Sequence, residues 1–102
     1  MFARVATFGG SAEQTAEALA VFDAQVMPWL REASGFRGFV ALLDREHERS
    51  LGITFWVDEE AARNAGGLEA LRDDVAQMAG TEFRQVDLYE VVSVDSLALK
   101  PR

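Results

Sequence analysis

The sequence contains no cysteine, a single histidine and no long apolar run. Without cysteine the chain has no disulfide and no thiolate metal site, and a reducing compartment is the default. No stretch approaches the roughly 18 apolar residues that span a membrane. The start of the chain also lacks the charged segment and apolar run of a secretory signal. We therefore expect a cytoplasmic protein with no metal site and no membrane partner.

Basic residues are scarce as well. The chain has 10 Lys and Arg against 17 Asp and Glu, a net charge of −7. Because a nucleic-acid backbone binds clustered Lys and Arg, no nucleic-acid partner is expected. The 102 residues predict one domain over 1–102 with a tail at about 95–102. A chain of this size buries only about two-thirds of its surface alone.

The hydrophobic periodicity predicts six elements in the order β-α-β-β-α-β. Alternation over 2–8 predicts a strand, and Ser11 with Gln14 has the spacing of a helix capping box. Apolar residues at three- and four-residue steps continue this helix to Gly35, with Pro28 near its end. The later elements are a hairpin of strands 39–43 and 51–57, a helix from Asp58 that Gly66–Gly67 interrupts and that resumes through Met78, and a strand over 86–92.

This order predicts an α+β, ferredoxin-like sandwich in which both helices cover one face of a four-stranded antiparallel sheet. A face left to water should carry polar residues at every second position. The third strand instead has Leu51, Ile53 and Phe55 on one face and Trp56 on the other. We therefore expect a homodimer through the uncovered sheet face. The alternative is a monomer with an apolar groove for a ligand.

Four short segments carry a resemblance to a known family. They are Met27–Pro28–Trp29–Leu30, Gly35–Phe36–Arg37–Gly38, Thr54–Phe55–Trp56 with Glu60–Ala61, and Leu88–Tyr89–Glu90–Val91. In this order they resemble the antibiotic biosynthesis monooxygenase domain, a branch of the dimeric α/β-barrel superfamily. The resemblance implies a dimeric α/β barrel formed sheet to sheet, with a pocket between helices and sheet in each subunit.

The activity that the resemblance implies is a small cofactor-independent monooxygenase that binds an aromatic or polyketide-like molecule. The alternative is a non-catalytic dimeric ligand-binding or stress-response domain of the same fold. Haem-degrading relatives carry an Asn in the first strand and a Trp and a His in the second helical region. Here Thr7 lies near the Asn position and residues 58–80 contain neither Trp nor His. Haem degradation is therefore not expected.

No catalytic residue can be named from the sequence, but five residues are candidates for substrate binding: Thr7, Trp29, Trp56, Tyr89 and Arg4. Trp56 has either of two roles, the aromatic wall of a ligand site or core packing against a helix. Arg4 alternates with apolar residues, so it either pairs with Glu90 or binds an anionic ligand. His47 lies in the most polar stretch of the chain, where a surface position is expected.

Overall fold

The computed structural model describes residues 1–64 and 80–95. Their helices and strands, in chain order, are β1 (Phe2–Gly9), α1 (Ala12–Gln25), α2 (Met27–Glu32), β2 (Phe36–Asp44), β3 (Arg49–Trp56), α3 (Glu59–Arg63) and β4 (Glu82–Glu90). The predicted resumption of the second helix through Met78 and nearly all of the predicted tail lie outside the described residues. None of the described helices is long and apolar enough to cross a membrane.

The four strands form one antiparallel sheet in the order β2-β3-β1-β4. This arrangement confirms the predicted α+β, ferredoxin-like architecture. Opposed residues of antiparallel neighbours share a face, and Arg4 is opposite Thr54 while Ala6 is opposite Gly52. These four residues belong to the sheet face that α1 covers.

Helix α1 begins with the predicted capping box. The Ser11 hydroxyl accepts from the Gln14 backbone N–H at 3.1 Å, and the Gln14 side-chain carbonyl accepts from the Ser11 N–H at 2.9 Å. Two backbone donors that helical bonding leaves unpaired are satisfied in this way. The start of α1 is therefore fixed by the sequence itself.

The single helix expected from Ser11 to Gly35 is divided in two at Val26. Pro28 lies in the first turn of α2, not near the end of a continuous helix. Proline lacks an N–H and is favoured in a first turn, where that donor would be unpaired in any case. Helix α2 ends at Glu32 and its C-cap Ala33 is extended, so Gly35 does not cap the helix. Its φ of +83° belongs to the turn that the Phe36 N–H closes on the Ala33 carbonyl at 3.2 Å.

The strands differ from their predicted bounds because backbone pairing extends past the apolar residues. Strand β4 covers Glu82–Glu90 where 86–92 was predicted, since its pairing with β1 continues to the opposition of Glu82 and Gly9. The hairpin strands are also longer than predicted and leave only residues 45–48 between them. Ladder hydrogen bonds use the backbone, so they admit polar residues at strand ends.

The best-buried part of the core lies between α2, α3 and the end of β3. It consists of Val26, Leu30, Trp56 and Ala62. The Trp56 indole N–H donates to the Thr54 hydroxyl at 2.9 Å, and its ring packs edge-on against Phe36 at 5.6 Å between centroids. Trp56 therefore packs in the core, which is one of the two roles that the sequence allowed. A ligand contact at Trp56 stays a prediction.

Candidate functional site

A cavity lies between α1 and the sheet and is partly open to solvent. Its volume is about 90 Å³, several times the roughly 10–15 Å³ that holds one water molecule on this measure. Helix α1 contributes Thr15, Ala18, Leu19 and Phe22. Their spacing places these four residues on one helix face. We call this space the helix–sheet cavity.

Small residues on the sheet and the helix create this space. Ala6 and Gly52 are opposed in β1 and β3, and both line the cavity together with Ala18 of α1. A Cβ atom at Gly52 would lie 3.7 Å from Phe39 Cε1 and 3.8 Å from Phe8 Cε2, which is ordinary contact. The missing side chain at Gly52 therefore leaves room between two phenyl rings.

One wall of the helix–sheet cavity is aromatic. Phe22 of α1 stacks on Phe39 of β2 with ring centroids 4.5 Å apart and an angle of 26° between the planes. Both rings line the cavity. Because aromatic rings stack with one another in offset arrangements, this wall suits a flat, largely apolar ligand.

Arg4 brings a cationic group to the same cavity. Its side chain is 8% exposed, and Nη1 donates to the backbone carbonyl of Ala62 in α3 at 3.1 Å. Within the described residues no ion pair joins Arg4 to Glu90, because Glu90 is exposed at the end of β4 opposite Phe2. The guanidinium thus reaches α3 through Ala62, and Arg4 also lines the helix–sheet cavity, where a cationic side chain suits an anionic or carbonyl oxygen of a ligand.

Of the five predicted substrate-binding residues, the structure brings only Arg4 to the helix–sheet cavity. Trp29 and Trp56 both line a separate groove beside α2, and Trp56 also belongs to the buried core. Thr7 opposes Leu51 and Tyr89 opposes Ala3, so strand alternation turns both away from α1. Substrate contacts at these four positions stay predictions.

Sequence reasoning missed most of the residues that line the cavity. Thr15 and Ala18 lie on the same face of α1 as Leu19 and Phe22, but Thr15 is polar and Ala18 is small. A helix face in which small and polar residues interrupt large apolar ones is the signal that could have revealed the cavity.

The titratable residues of the described chain lie mostly outside this cavity. His47 lies in the exposed hairpin, where its ring nitrogen Nδ1 is 2.9 Å from Asp44 Oδ2. Hydrogen bonds from His47, with a smaller contribution from Arg49, hold the pKa of Asp44 below its usual value. Within residues 1–64 and 80–95 no group of three or more His, Asp or Glu is placed to hold a metal ion.

Comparison with known proteins gives a family and a set of similar folds. The family model for antibiotic biosynthesis monooxygenase matches residues 1–77. No curated protein matches the chain in sequence.

Solved structures match nearly the full length at low identity. A mutant form of SnoaB, a cofactor-independent oxygenase from Streptomyces nogalater, superposes with a TM-score of 0.67 at 19% identity, covering 91% of this chain and 94% of that one. A monooxygenase from the gene ActVA-Orf6 of Streptomyces coelicolor, in complex with nanaomycin D, gives a TM-score of 0.66 at 17% identity, covering 95% and 92%. At these identities the likeness establishes the fold. The family model covers most of the chain, and we conclude that this protein belongs to the antibiotic biosynthesis monooxygenase family.

Proposed function

We propose that this protein binds a flat aromatic, polyketide-like molecule in the helix–sheet cavity and oxidises it with O₂ without a bound cofactor. The observation that carries the proposal is the pairing of an aromatic wall, Phe22 on Phe39, with the buried guanidinium of Arg4 in one cavity. The description of SnoaB as a cofactor-independent oxygenase and the nanaomycin D complex of the Streptomyces coelicolor protein support it.

The chemistry requires a substrate that supplies its own electrons. A methylene carbon between two aryl rings satisfies R₂CH₂ + O₂ → R₂C=O + H₂O. Two C–H bonds and the O–O bond break, and one C=O and two O–H bonds form. The substrate reacts after losing a proton to become an enolate or phenolate. Arg4 would stabilise that anion, because a nearby cation lowers the pKa of an acidic group.

Oxygen uptake with 1,8-dihydroxyanthrone as the probe tests this activity. We expect uptake above the rate in buffer, water as the reduced product, and label from ¹⁸O₂ in the new ketone. Arg4→Met should lower the rate by about tenfold or more, while Arg37→Met, at an exposed arginine of β2 outside the cavity, should not. An uptake rate equal to that in buffer would contradict the catalytic proposal.

A second candidate function is non-catalytic binding of the same class of ligand. It is favoured by one observation: the described residues that line the helix–sheet cavity include no histidine and no carboxylate, so none of them is a conventional general base. A binding protein of this kind would bind nanaomycin D. It would not consume O₂ when 1,8-dihydroxyanthrone is added.

We further propose that the protein assembles as a homodimer through the outer sheet face, the face turned away from α1. Leu42 and Tyr89 are 47% and 56% exposed there, and Val5, Ile53 and Phe55 are half-buried on the same face. A second copy would cover these apolar side chains, and each copy would gain the core that a short chain lacks.

Sedimentation equilibrium tests the assembly at micromolar concentration. The wild type should sediment as a dimer, and Leu42→Glu should shift it toward monomer because a charge would be buried in the interface. Ala20→Glu, on the exposed side of α1, is the control and should remain dimeric. A monomeric wild type would overturn the assembly proposal.

A further inference from the structure

One buried hydroxyl in the helix–sheet cavity has no hydrogen-bond partner among the described residues. Thr15 is 6% exposed and lines the cavity from α1. Its Oγ1 atom makes no hydrogen bond in the described structure. The Ser11 carbonyl, four residues earlier, accepts the Thr15 backbone N–H at 2.9 Å, but it does not hold the hydroxyl.

This arrangement differs from that of Thr54, which is opposite Arg4 in the sheet and also lines the cavity. The hydroxyl of Thr54 accepts from the Trp56 indole N–H at 2.9 Å, so its burial is compensated within the protein. A buried hydroxyl without a partner costs free energy, and a threonine in a helix commonly avoids that cost by bonding to the carbonyl four residues earlier. Thr15 does not do so, although it is one of the residues that line the helix–sheet cavity.

We propose that Thr15 is a ligand-positioning residue whose hydroxyl bonds to a ring oxygen of the bound molecule. This inference rests on the proposed function, since it assigns a contact within the same cavity. The surrounding surface is apolar and aromatic, formed by Ala18, Phe22 and Phe39. The ligand it selects is therefore an aromatic ring with a phenolic or quinone oxygen directed at α1, in preference to the same ring without oxygen.

The hydroxyl suits either form of that oxygen. A threonine hydroxyl both donates and accepts, so it can donate to a quinone carbonyl or a phenolate and accept from a neutral phenol. Arg4, on the sheet side of the same cavity, only donates. Thr15 thus selects among ligands by the position of an oxygen atom, while Arg4 selects among them by charge.

The test compares 2-naphthol with naphthalene, two probes that differ by one hydroxyl group. Their dissociation constants are measured by calorimetry for the wild type, Thr15→Val, Thr15→Ser and Thr54→Val. Valine has nearly the shape of threonine, so Thr15→Val removes the hydroxyl with little change in volume. Thr54→Val is the control for stability, because it removes a hydroxyl that already has a protein partner. Ser93→Ala, which removes an exposed hydroxyl outside the cavity, is measured as the control for binding.

We expect the ratio of the naphthalene to the naphthol dissociation constant to fall by roughly three- to tenfold in Thr15→Val. The ratio should be retained in Thr15→Ser and in Ser93→Ala. Without probe, Thr15→Val should melt at the same or a higher temperature than the wild type. Thr54→Val should melt at a lower one, because it leaves the Trp56 donor unpaired.

Two results would overturn the proposal and they are distinguishable. If both probes bind and Thr15→Val keeps the wild-type ratio, Thr15 does not position the ligand while the cavity still binds aromatic rings. If neither probe binds to the wild type, the proposed ligand site fails together with the role of Thr15.

Discussion

Trp56 is a large aromatic residue that lies beside the proposed ligand site and does not line the helix–sheet cavity. It shares a sheet face with Thr54 and Gly52, which line the helix–sheet cavity. Its ring, however, is enclosed by Val26, Leu30 and Ala62 and is 1% exposed. Its indole N–H is satisfied by Thr54, so the residue stabilises the wall behind the cavity.

Replacing Trp56 by Phe should therefore affect stability and leave binding intact. The substitution removes buried ring volume and leaves the Thr54 hydroxyl without its donor. We expect the free energy of unfolding in urea to fall by roughly 1–3 kcal/mol. The dissociation constant for nanaomycin D should stay within about twofold of the wild-type value, since well-separated contacts act independently.

The opposite outcome would support the other role that the sequence allowed. If Trp56→Phe left the unfolding curve unchanged and weakened binding, Trp56 would be part of the ligand wall and not of the core.

The sequence specified residue faces better than residue functions. Strand alternation placed Arg4 and Thr7 on opposite faces, and the structure agrees. It could not say which face encloses a cavity, because a cavity is made by what is missing at Ala6, Ala18 and Gly52. A pattern of apolar residues indicates which faces pack together. Small residues in that pattern mark a cavity only where the facing element also carries small residues, and the facing element is not known from the sequence.

At the scale of elements, local signals determined where helices begin and long-range pairing determined where strands end. The helix predicted to run to Gly35 ends at Glu32, while the capping box at Ser11 was predicted and is present. The division of the first helix at Val26 and the extent of β4 were not predicted. Pro28 is compatible with the end of one helix or the first turn of the next, and the packing of Val26 and Leu30 against Trp56 accompanies the second arrangement.

The elements also explain why the cavity lies beside α1. Helix α1 turns Thr15, Ala18, Leu19 and Phe22 toward the sheet, whereas the core that contains Leu30 of α2 and Ala62 of α3 is closed. Leu30 and Trp56 fill the space at that end of β3, while Ala18 and Gly52 leave it unfilled nearer the hairpin. The same sheet face thus supports a packed core at one end and the helix–sheet cavity at the other.

At the scale of the whole molecule, the two sheet faces have different proposed partners. The inner face, covered by α1, encloses the helix–sheet cavity, and the outer face carries exposed Leu42 and Tyr89. Apolar side chains lie on both faces of the sheet, and α1 covers one of these faces. The proposed dimer interface and the helix–sheet cavity therefore lie on opposite faces of the same sheet.

Nanaomycin D binding to Gly52→Ala, with Gly38→Ala as control, tests the central claim that the helix–sheet cavity holds an aromatic ligand. A Cβ at Gly52 enters the cavity at ordinary contact distance from Phe39 and Phe8, whereas a Cβ at Gly38 has no described atom within 4 Å. Both variants should therefore fold. By calorimetry we expect Gly52→Ala to bind about tenfold more weakly than the wild type, because one methyl group occupies ligand space, and Gly38→Ala to bind equally well. Equal affinity of all three proteins, or no binding by the wild type, would contradict the account.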